Sequence, residues 1–465
     1  MNTIPGKNHS DIFMLIERYE DMLKKDSSSF FDAHEFEDIA DYYIDKGLLG
    51  EAMESMDIGF KQYPFSANFL IKKAQVLTIL ERLPEAVNAL EYAETLEPSN
   101  PDLYIAKGSI LSKKRKHQKA LKYFQKAQEL SEEPLDVYPF IAFEYQCLGN
   151  FHKAIKHLIL FLEIEPEDDI AIFNIAYCFE RLENYNEAID FFLKLTNKTP
   201  YCEIAWYQLG LFYNKSKDYK KAIWALDYAI LIDNSFTAGY HEKARSLTQL
   251  GETKKALKTY LQTIEIQEPT GYTYLKIALC YKELSLFKQA IRYLTKATHD
   301  DPQLSEAWME MGLCLDEINS TEEGLYYIEK AISLNPDDLE YLYIQTKIYK
   351  KIGLIIETDL GYKKLIDLGC NSPTIWIEYA DLIKDMNEIK DAISILKQSL
   401  IQNKKHPELL FKLGAFLFID KQFPLSKKYL QQAYSIKQSS LAELYLQMPI
   451  LIDNEEFKQI INSLR

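Results

Sequence analysis

Glycine and proline are scarce in this chain, with sixteen of each in 465 residues. That shortage excludes a loop-rich fold and favours long regular elements. Cysteine is scarcer still. Cys147, Cys178, Cys202, Cys280, Cys314 and Cys370 lie far apart with no CxxC pair, which speaks against a disulfide framework or a thiolate metal site and for reduced, buried thiols. Long apolar runs are also missing. Clusters such as Leu158–Leu162 fall well short of the roughly 18 residues a membrane span needs. The polar start Met1–Ser10 leads into no signal-peptide core, because Asp11, Glu17, Glu20 and Asp21 interrupt the first apolar stretch. A soluble, cytoplasmic protein is expected. Surplus positive charge is absent too: the net charge of −15 opposes a polyanion as the main partner, since phosphate binding needs clustered Lys and Arg.

Catalytic signatures are lacking. No GxGxxG, GxxxxGK[ST], HExxH or GxSxG occurs. His152 and His157 are close in sequence, but an i, i+5 spacing does not turn both rings to one metal. The expectation is a non-enzyme with no cofactor and no metal.

What the chain does have is a period. Ala52, Ala86, Ala120, Ala154, Ala188, Ala222, Ala256 and Ala290 follow one another at an unbroken interval of 34 residues. A fixed period of this size marks a solenoid, whose units bury their apolar faces by stacking on one another. Hydrophobic content of 47% supplies the burial, and 32 tyrosines supply rigid rings for packing and for partner contacts.

The unit Glu203–Phe236 is the clearest. Trp206, Leu209, Gly210 and Tyr213 are spaced i, i+3, i+4, i+7 on one helical face, and Ala222, Leu226 and Ala229 line a second helix after a polar break at Lys215–Tyr219. Large residues against small ones let two antiparallel helices approach closely. This pattern resembles a tetratricopeptide repeat. Trp308 and Trp376 recur at the place of Trp206, and Gly108, Gly312 and Gly414 at that of Gly210. Pro64, Pro98, Pro166, Pro200, Pro302 and Pro336 close their units.

The register runs from Ala33 to Ser440 as twelve units, starting at Ala33, Ala67, Pro101, Leu135, Asp169, Glu203, Thr237, Gly271, Ser305, Leu339, Pro373 and Pro407. The expected domains are an N-terminal tail and capping helix over 1–32, twelve repeats over 33–440, and capping helices over 441–465. Ile12, Phe13, Leu15, Ile16, Tyr19, Met22 and Leu23 define the first cap, ahead of a serine linker at Ser27–Ser29. Phe457, Ile460, Ile461 and Leu464 define the last. Gly324 and Thr358 replace the periodic alanine in units nine and ten, with Thr346 and Cys370 as further departures. A softer joint around 320–372 is therefore expected.

The resemblance implies an all-α, right-handed superhelical solenoid of antiparallel helix pairs, whose first helices line a concave groove that holds a partner peptide or helix. Carried onto this register, the groove face takes Phe143, Phe173, Tyr177 and Tyr207, with Arg181, Asn214 and Lys215 near its end. Rigid rings beside donors suit a peptide, although the same rings also suit packing between adjacent helices. The carboxylate clamp of the family is not matched, because its first positions are Glu37 and Asp41 here.

Charge is segregated. Nine acids against Lys46 crowd Asp32–Asp57, which predicts a negative N-terminal mouth. Seven bases and no acid fill Lys113–Lys126. Of these, Lys113, Lys114, Arg115, Lys116 and Lys119 sit at a turn between helices, on an edge read as lying outside the groove and without stacking aromatics. Unit nine is acidic (Glu306, Glu310, Asp316, Glu317) and unit ten basic (Lys347, Lys350, Lys351). The functional expectation is a protein-interaction scaffold. The alternatives are an RNA- or ribosome-associated factor acting through the basic edge, or the regulatory subunit of an enzyme on another chain; self-association through the end repeats is open.

Overall fold

The computed structural model describes residues 9–25, 30–132 and 134–463. The tail residues 1–8, the serine linker Ser27–Ser29 and Leu464 lie outside the described residues. Within them the chain is helical and contains no strand. After a first helix, His9–Lys25, twelve helix pairs follow in tandem.

The first helices of the pairs (helix A) start at Ala33, Ala67, Pro101, Tyr138, Asp169, Glu203, Thr237, Gly271, Ser305, Leu339, Pro373 and Pro407. Their partners (helix B) start at Leu49, Leu83, His117, Phe151, Tyr185, Tyr219, Thr253, Phe287, Thr321, Ile355, Ile389 and Phe423. Helices Ser440–Gln447 and Glu455–Asn462 complete the chain.

In pair six, Trp206, Leu209, Gly210 and Tyr213 are buried against Ala222, Leu226 and Ala229, as the i, i+3, i+4 spacing dictates. A methyl group on Gly210 would lie 2.6 Å from Leu226 Cγ, so nothing larger fits without moving the neighbouring helix. The turn between the helices is a Schellman motif: Asp218 N–H donates to Tyr213 O and Lys217 N–H to Asn214 O. Lys217 adopts a φ of 63°.

The same left-handed residue recurs in every pair, at Gly47, Glu81, Arg115, Gly149, Glu183, Lys217, Gly251, Ser285, Asn319, Gly353, Asn387 and Lys421. Glycine removes the steric cost of that conformation. It does so in every third pair, at Gly47, Gly149, Gly251 and Gly353. The close-packing glycines Gly108, Gly210, Gly312 and Gly414 also return every third pair, two pairs later in each block.

The chain divides into two compact units, Met1–Ser246 and Leu247–Arg465. In the first, helix His9–Lys25 buries Ile12, Leu15, Ile16, Tyr19 and Met22 with Phe36, Ile39, Ala40 and Tyr43 of pair one. Helices A contact their own partners, and those of pairs two and three, five and six, eight and nine, and eleven and twelve also contact each other. In the second unit, helix Pro407–Ile419 is buried from Leu409 to Phe418, and Phe418 meets Phe457 of the last helix edge to face at 5.0 Å. Lys412 lies inside this packing at 2% exposure. It is held by Asp381 at 2.8 Å and by Gln447 Oε1 at 3.0 Å, and burial lowers its pKa.

Pairs nine and ten, where a softer joint is expected, are closely packed at the positions that break the alanine period. Gly324 and Gly312 face each other: a methyl on Gly324 would lie 2.6 Å from Gly312 O. The two backbones of pair nine thus come together through the substitution that was read as loosening. In pair ten the threonines are buried but satisfied, Thr346 bonding Leu342 O at 2.7 Å and Thr358 bonding Leu354 O at 2.6 Å. The missing small residue has moved across to Gly361, which makes room for Thr346.

Candidate functional site

Helix A of pair four departs most from the period. The register starts it at Leu135, but Pro134–Val137 forms a 3-10 turn and the α-helix runs only from Tyr138 to Cys147. Pro139 explains the delay. It cannot donate to Leu135 O, and its ring crowds that carbonyl, so the chain enters through a tighter turn with proline in the first turn of the helix.

The shortened helix borders a cleft of about 850 Å³ within the first unit, walled by Ile79, Phe124, Phe140 and Phe143, with Lys113 and Arg115 also lining it. Phe140 stacks on Phe124 at 5.3 Å. Ile79 and Phe143 remain 53% and 51% exposed, and so offer apolar surface to an incoming group.

Glu144 lies fully buried among the lining residues. Its Oε2 is 2.8 Å from His117 Nδ1, while Oε1 is buried with no hydrogen-bond partner. Beside it, burial and the Glu144 charge push the Cys147 thiol up in pKa. Lys113 Nζ donates to Thr78 O at 2.7 Å, satisfying a last-turn carbonyl of helix Ala67–Ile79. Lys114, Arg115, Lys116 and Lys119 are exposed.

The basic edge was read as lying outside the groove and lacking aromatics. At that edge Lys113 and Arg115 line a cleft together with Phe140 and Phe143.

On the next helix A, Asp169–Arg181, Ile170, Phe173 and Tyr177 are 71%, 44% and 48% exposed at i, i+3, i+7. The Arg181 guanidinium stands 5.9 Å from the Phe151 ring, and Phe151 meets Tyr177 edge to face at 6.1 Å. Phe143, Phe173, Tyr177 and Arg181 therefore present themselves to solvent. Lys215 is exposed as well, while Tyr207 and Asn214 are withdrawn. Tyr207 is half-buried, edge-on to Phe236 at 5.1 Å, and burial raises its pKa. Asn214 is buried; it accepts from Ser246 Oγ at 2.7 Å and donates to Glu242 at 3.4 Å. Lys215 pairs with Glu180 at 3.0 Å. The polar groups of Asn214 and Lys215 tie neighbouring helices together.

The same cross-repeat pairing moderates the segregated charge. Lys72 Nζ sits 2.6 Å from both Asp41 oxygens, and Asn68 donates to Glu37 at 3.2 Å, so the N-terminal acids are partly neutralised from pair two. Lys351 meets Asp316 at 2.6 Å, joining basic pair ten to acidic pair nine. The residues that sequence reasoning missed are Ile170, Phe140, Glu144 and His117. Ile170 follows from the i, i+3 spacing ahead of Phe173. Glu144 and His117 needed the fold, because 27 residues separate them.

Tandem antiparallel helix pairs, each locked by small residues, define an all-α solenoid of repeats. Tetratricopeptide repeat models match residues 101–134, 204–236 and 305–338, and a second model of the same repeat matches 171–200. The chain belongs to the tetratricopeptide repeat proteins.

Among solved structures, it is similar to PilF from Pseudomonas aeruginosa (18% identity over 46% of this chain and 96% of that one, TM-score 0.38). It is also similar to YrrB, described as a tetratricopeptide repeat protein with an unusual peptide-binding site (17%, 38% and 92%, TM-score 0.34). A third is MamA (18%, 34% and 94%, TM-score 0.33). No curated protein matches the chain. Proteins of this family generally mediate contacts between proteins. Among the described residues, no helix is long and apolar enough to cross a membrane.

Proposed function

We propose that the chain is a non-catalytic, cytoplasmic scaffold that holds a segment of a partner protein along the helix-A face of pairs four and five. The supporting observation is the run of exposed rings Phe143, Phe173 and Tyr177 on adjacent helices A, with Arg181 at its end. Large apolar side chains left open on neighbouring helices suit the anchors of a bound segment. In this reading residues 33–440 are the twelve-repeat body, 1–32 a tail and capping helix, and 441–465 capping helices. Tyr207 packs against Phe236 and Asn214 against pair seven beside this face, and exposed Lys215 borders it, paired with Glu180.

Affinity capture from the source lysate tests the reading, comparing wild type with the Phe173→Ala/Tyr177→Ala variant. A defined partner held by the first and lost from the second supports it. The same partner held equally by both overturns it.

A further inference from the structure

We propose that the cleft between pairs two, three and four receives an acidic peptide segment of the partner, and so gives the scaffold its selectivity. An apolar side chain of that segment seats against Ile79, Phe140 and Phe143. Its flanking carboxylates lie on Lys114, Arg115, Lys116 and Lys119. This rests on the scaffold reading and adds the chemistry of what is bound.

Size and lining come first. A void of about 850 Å³ with aromatic and aliphatic walls is in the range of pockets that enclose a ligand group. Phe143 and Ile79 are each about half exposed, so an apolar side chain entering there removes surface that the fold itself leaves wet.

Charge names the occupant. Elsewhere in the first unit several lysines are paired (Lys72 with Asp41, Lys73 with Asp57, Lys107 with Glu94, Lys215 with Glu180 and Lys243 with Asp227), and unpaired ones such as Lys61 and Lys194 stand singly. Lys113, paired with Glu81, and Arg115 line the cleft. Arg115 and its sequence neighbours Lys114, Lys116 and Lys119 put four cations within six residues, and no ion pair to any of these four occurs among the described residues. In a chain of net charge −15, such a cluster is a local exception that attracts an anionic partner and steers its approach.

An acidic peptide fits better than RNA. RNA binding of this kind uses successive open rings as stacking platforms, whereas Phe140 is already stacked on Phe124. The buried Glu144 carboxylate in the lining opposes a phosphate entering the cleft and is indifferent to an apolar side chain. Two chemistries in one site, apolar inside and cationic at the lip, match a segment with one large apolar residue among Asp and Glu.

Fluorescence anisotropy on the full chain tests this. The probes are short labelled peptides bearing one Leu or Phe in an Asp/Glu frame, a Ser/Gln frame or a Lys/Arg frame, with oligouridine RNA alongside. The acidic frame is expected to bind, more weakly as salt rises, and the basic frame to fail. Phe143→Ala and the triple reversal Lys114→Glu/Arg115→Glu/Lys116→Glu should each weaken binding at least about tenfold, equivalent to about 1.4 kcal/mol. Tyr326→Ala, an exposed ring in the second unit, should change nothing, and unchanged circular dichroism controls for folding.

Equal affinity for acidic and neutral frames overturns the inference, as does RNA binding more tightly than every acidic peptide. So does no binding by any acidic frame, or a charge reversal whose only effect is to abolish self-association in sedimentation. If the peptides fail while the captured partner still depends on Phe173 and Tyr177, the acidic inference falls and the scaffold reading stands. If the partner ignores those rings while acidic peptides bind, the scaffold reading fails in its location.

Discussion

Helix A of pair six buries Trp206, Phe212 and Tyr213, whereas helix A of pair four leaves Phe140 and Phe143 open. Trp206 lies flat on Tyr228 at 4.5 Å, and its indole N–H donates to Pro200 O at 3.0 Å. The same lock appears at Tyr104 to Pro98 O and at Trp308 to Pro302 O, three pairs away on either side. In pair four the equivalent position is Tyr138, which merely starts a late helix beside His157. Phe143 then faces a cleft.

The comparison teaches that the register position of a ring on helix A decides whether it packs, as Trp206 does, or is left open, as Phe143 and Tyr177 are.

Breaking the closed region gives the largest effect. Trp206→Ala should cost about 3–5 kcal/mol in the first unit, measured by chemical denaturation, because it removes a buried ring and its hydrogen bond. Trp308 is only half-buried, stacked on Tyr327 at 5.9 Å, so Trp308→Ala should cost distinctly less. Equal losses would mean that exposure does not separate the two locks.

Overfilling comes next. At Gly312 an added methyl would lie 2.7 Å from Gly324 O, a backbone atom that cannot swing aside. Gly312→Ala should cost about 1–3 kcal/mol in the second unit. Hydrogen exchange should also be as slow in pair nine as in pair six, and faster exchange there would restore the softer joint.

A smaller, pH-dependent effect sharpens the view of the closed packing. Burial pushes the Cys280 and Cys314 thiols up to about 11. The folded state then keeps its protons while the unfolded chain, with thiols near 9, releases them. Stability is thus fully present below the lower value and lost as pH rises towards the higher one. The urea midpoint of the second unit should fall across that window, and Cys280→Ala/Cys314→Ala should flatten this part of the fall.

Much of the fold was legible in the sequence. Spacing alone placed Trp206, Leu209 and Gly210 on one buried face, and eleven of the twelve helix A starts coincide with the register. The twelfth is three residues late, since periodicity carries no information about the carbonyl that Pro139 crowds. The left-handed turn residues were hidden wherever they are not glycine, as at Glu81, Arg115 and Glu183.

The candidate site was read less well. Phe173 and Tyr177 could be found, because exposure on helix A follows the period. Asn214 could not be judged, since its partners Glu242 and Ser246 lie in the next pair. The cleft was invisible for the same reason: Ile79, Arg115 and Phe143 meet only after the pairs stack.

The smallest expected effect is also the most direct test. Tyr177→Ala and Trp206→Ala should be compared side by side for melting temperature and partner capture. Exposed Tyr177 should cost no more than about 0.5 kcal/mol and still lose the partner, whereas Trp206→Ala melts early. If Tyr177→Ala melts as early as Trp206→Ala, or keeps its stability and its partner alike, the division between packing rings and binding rings is wrong.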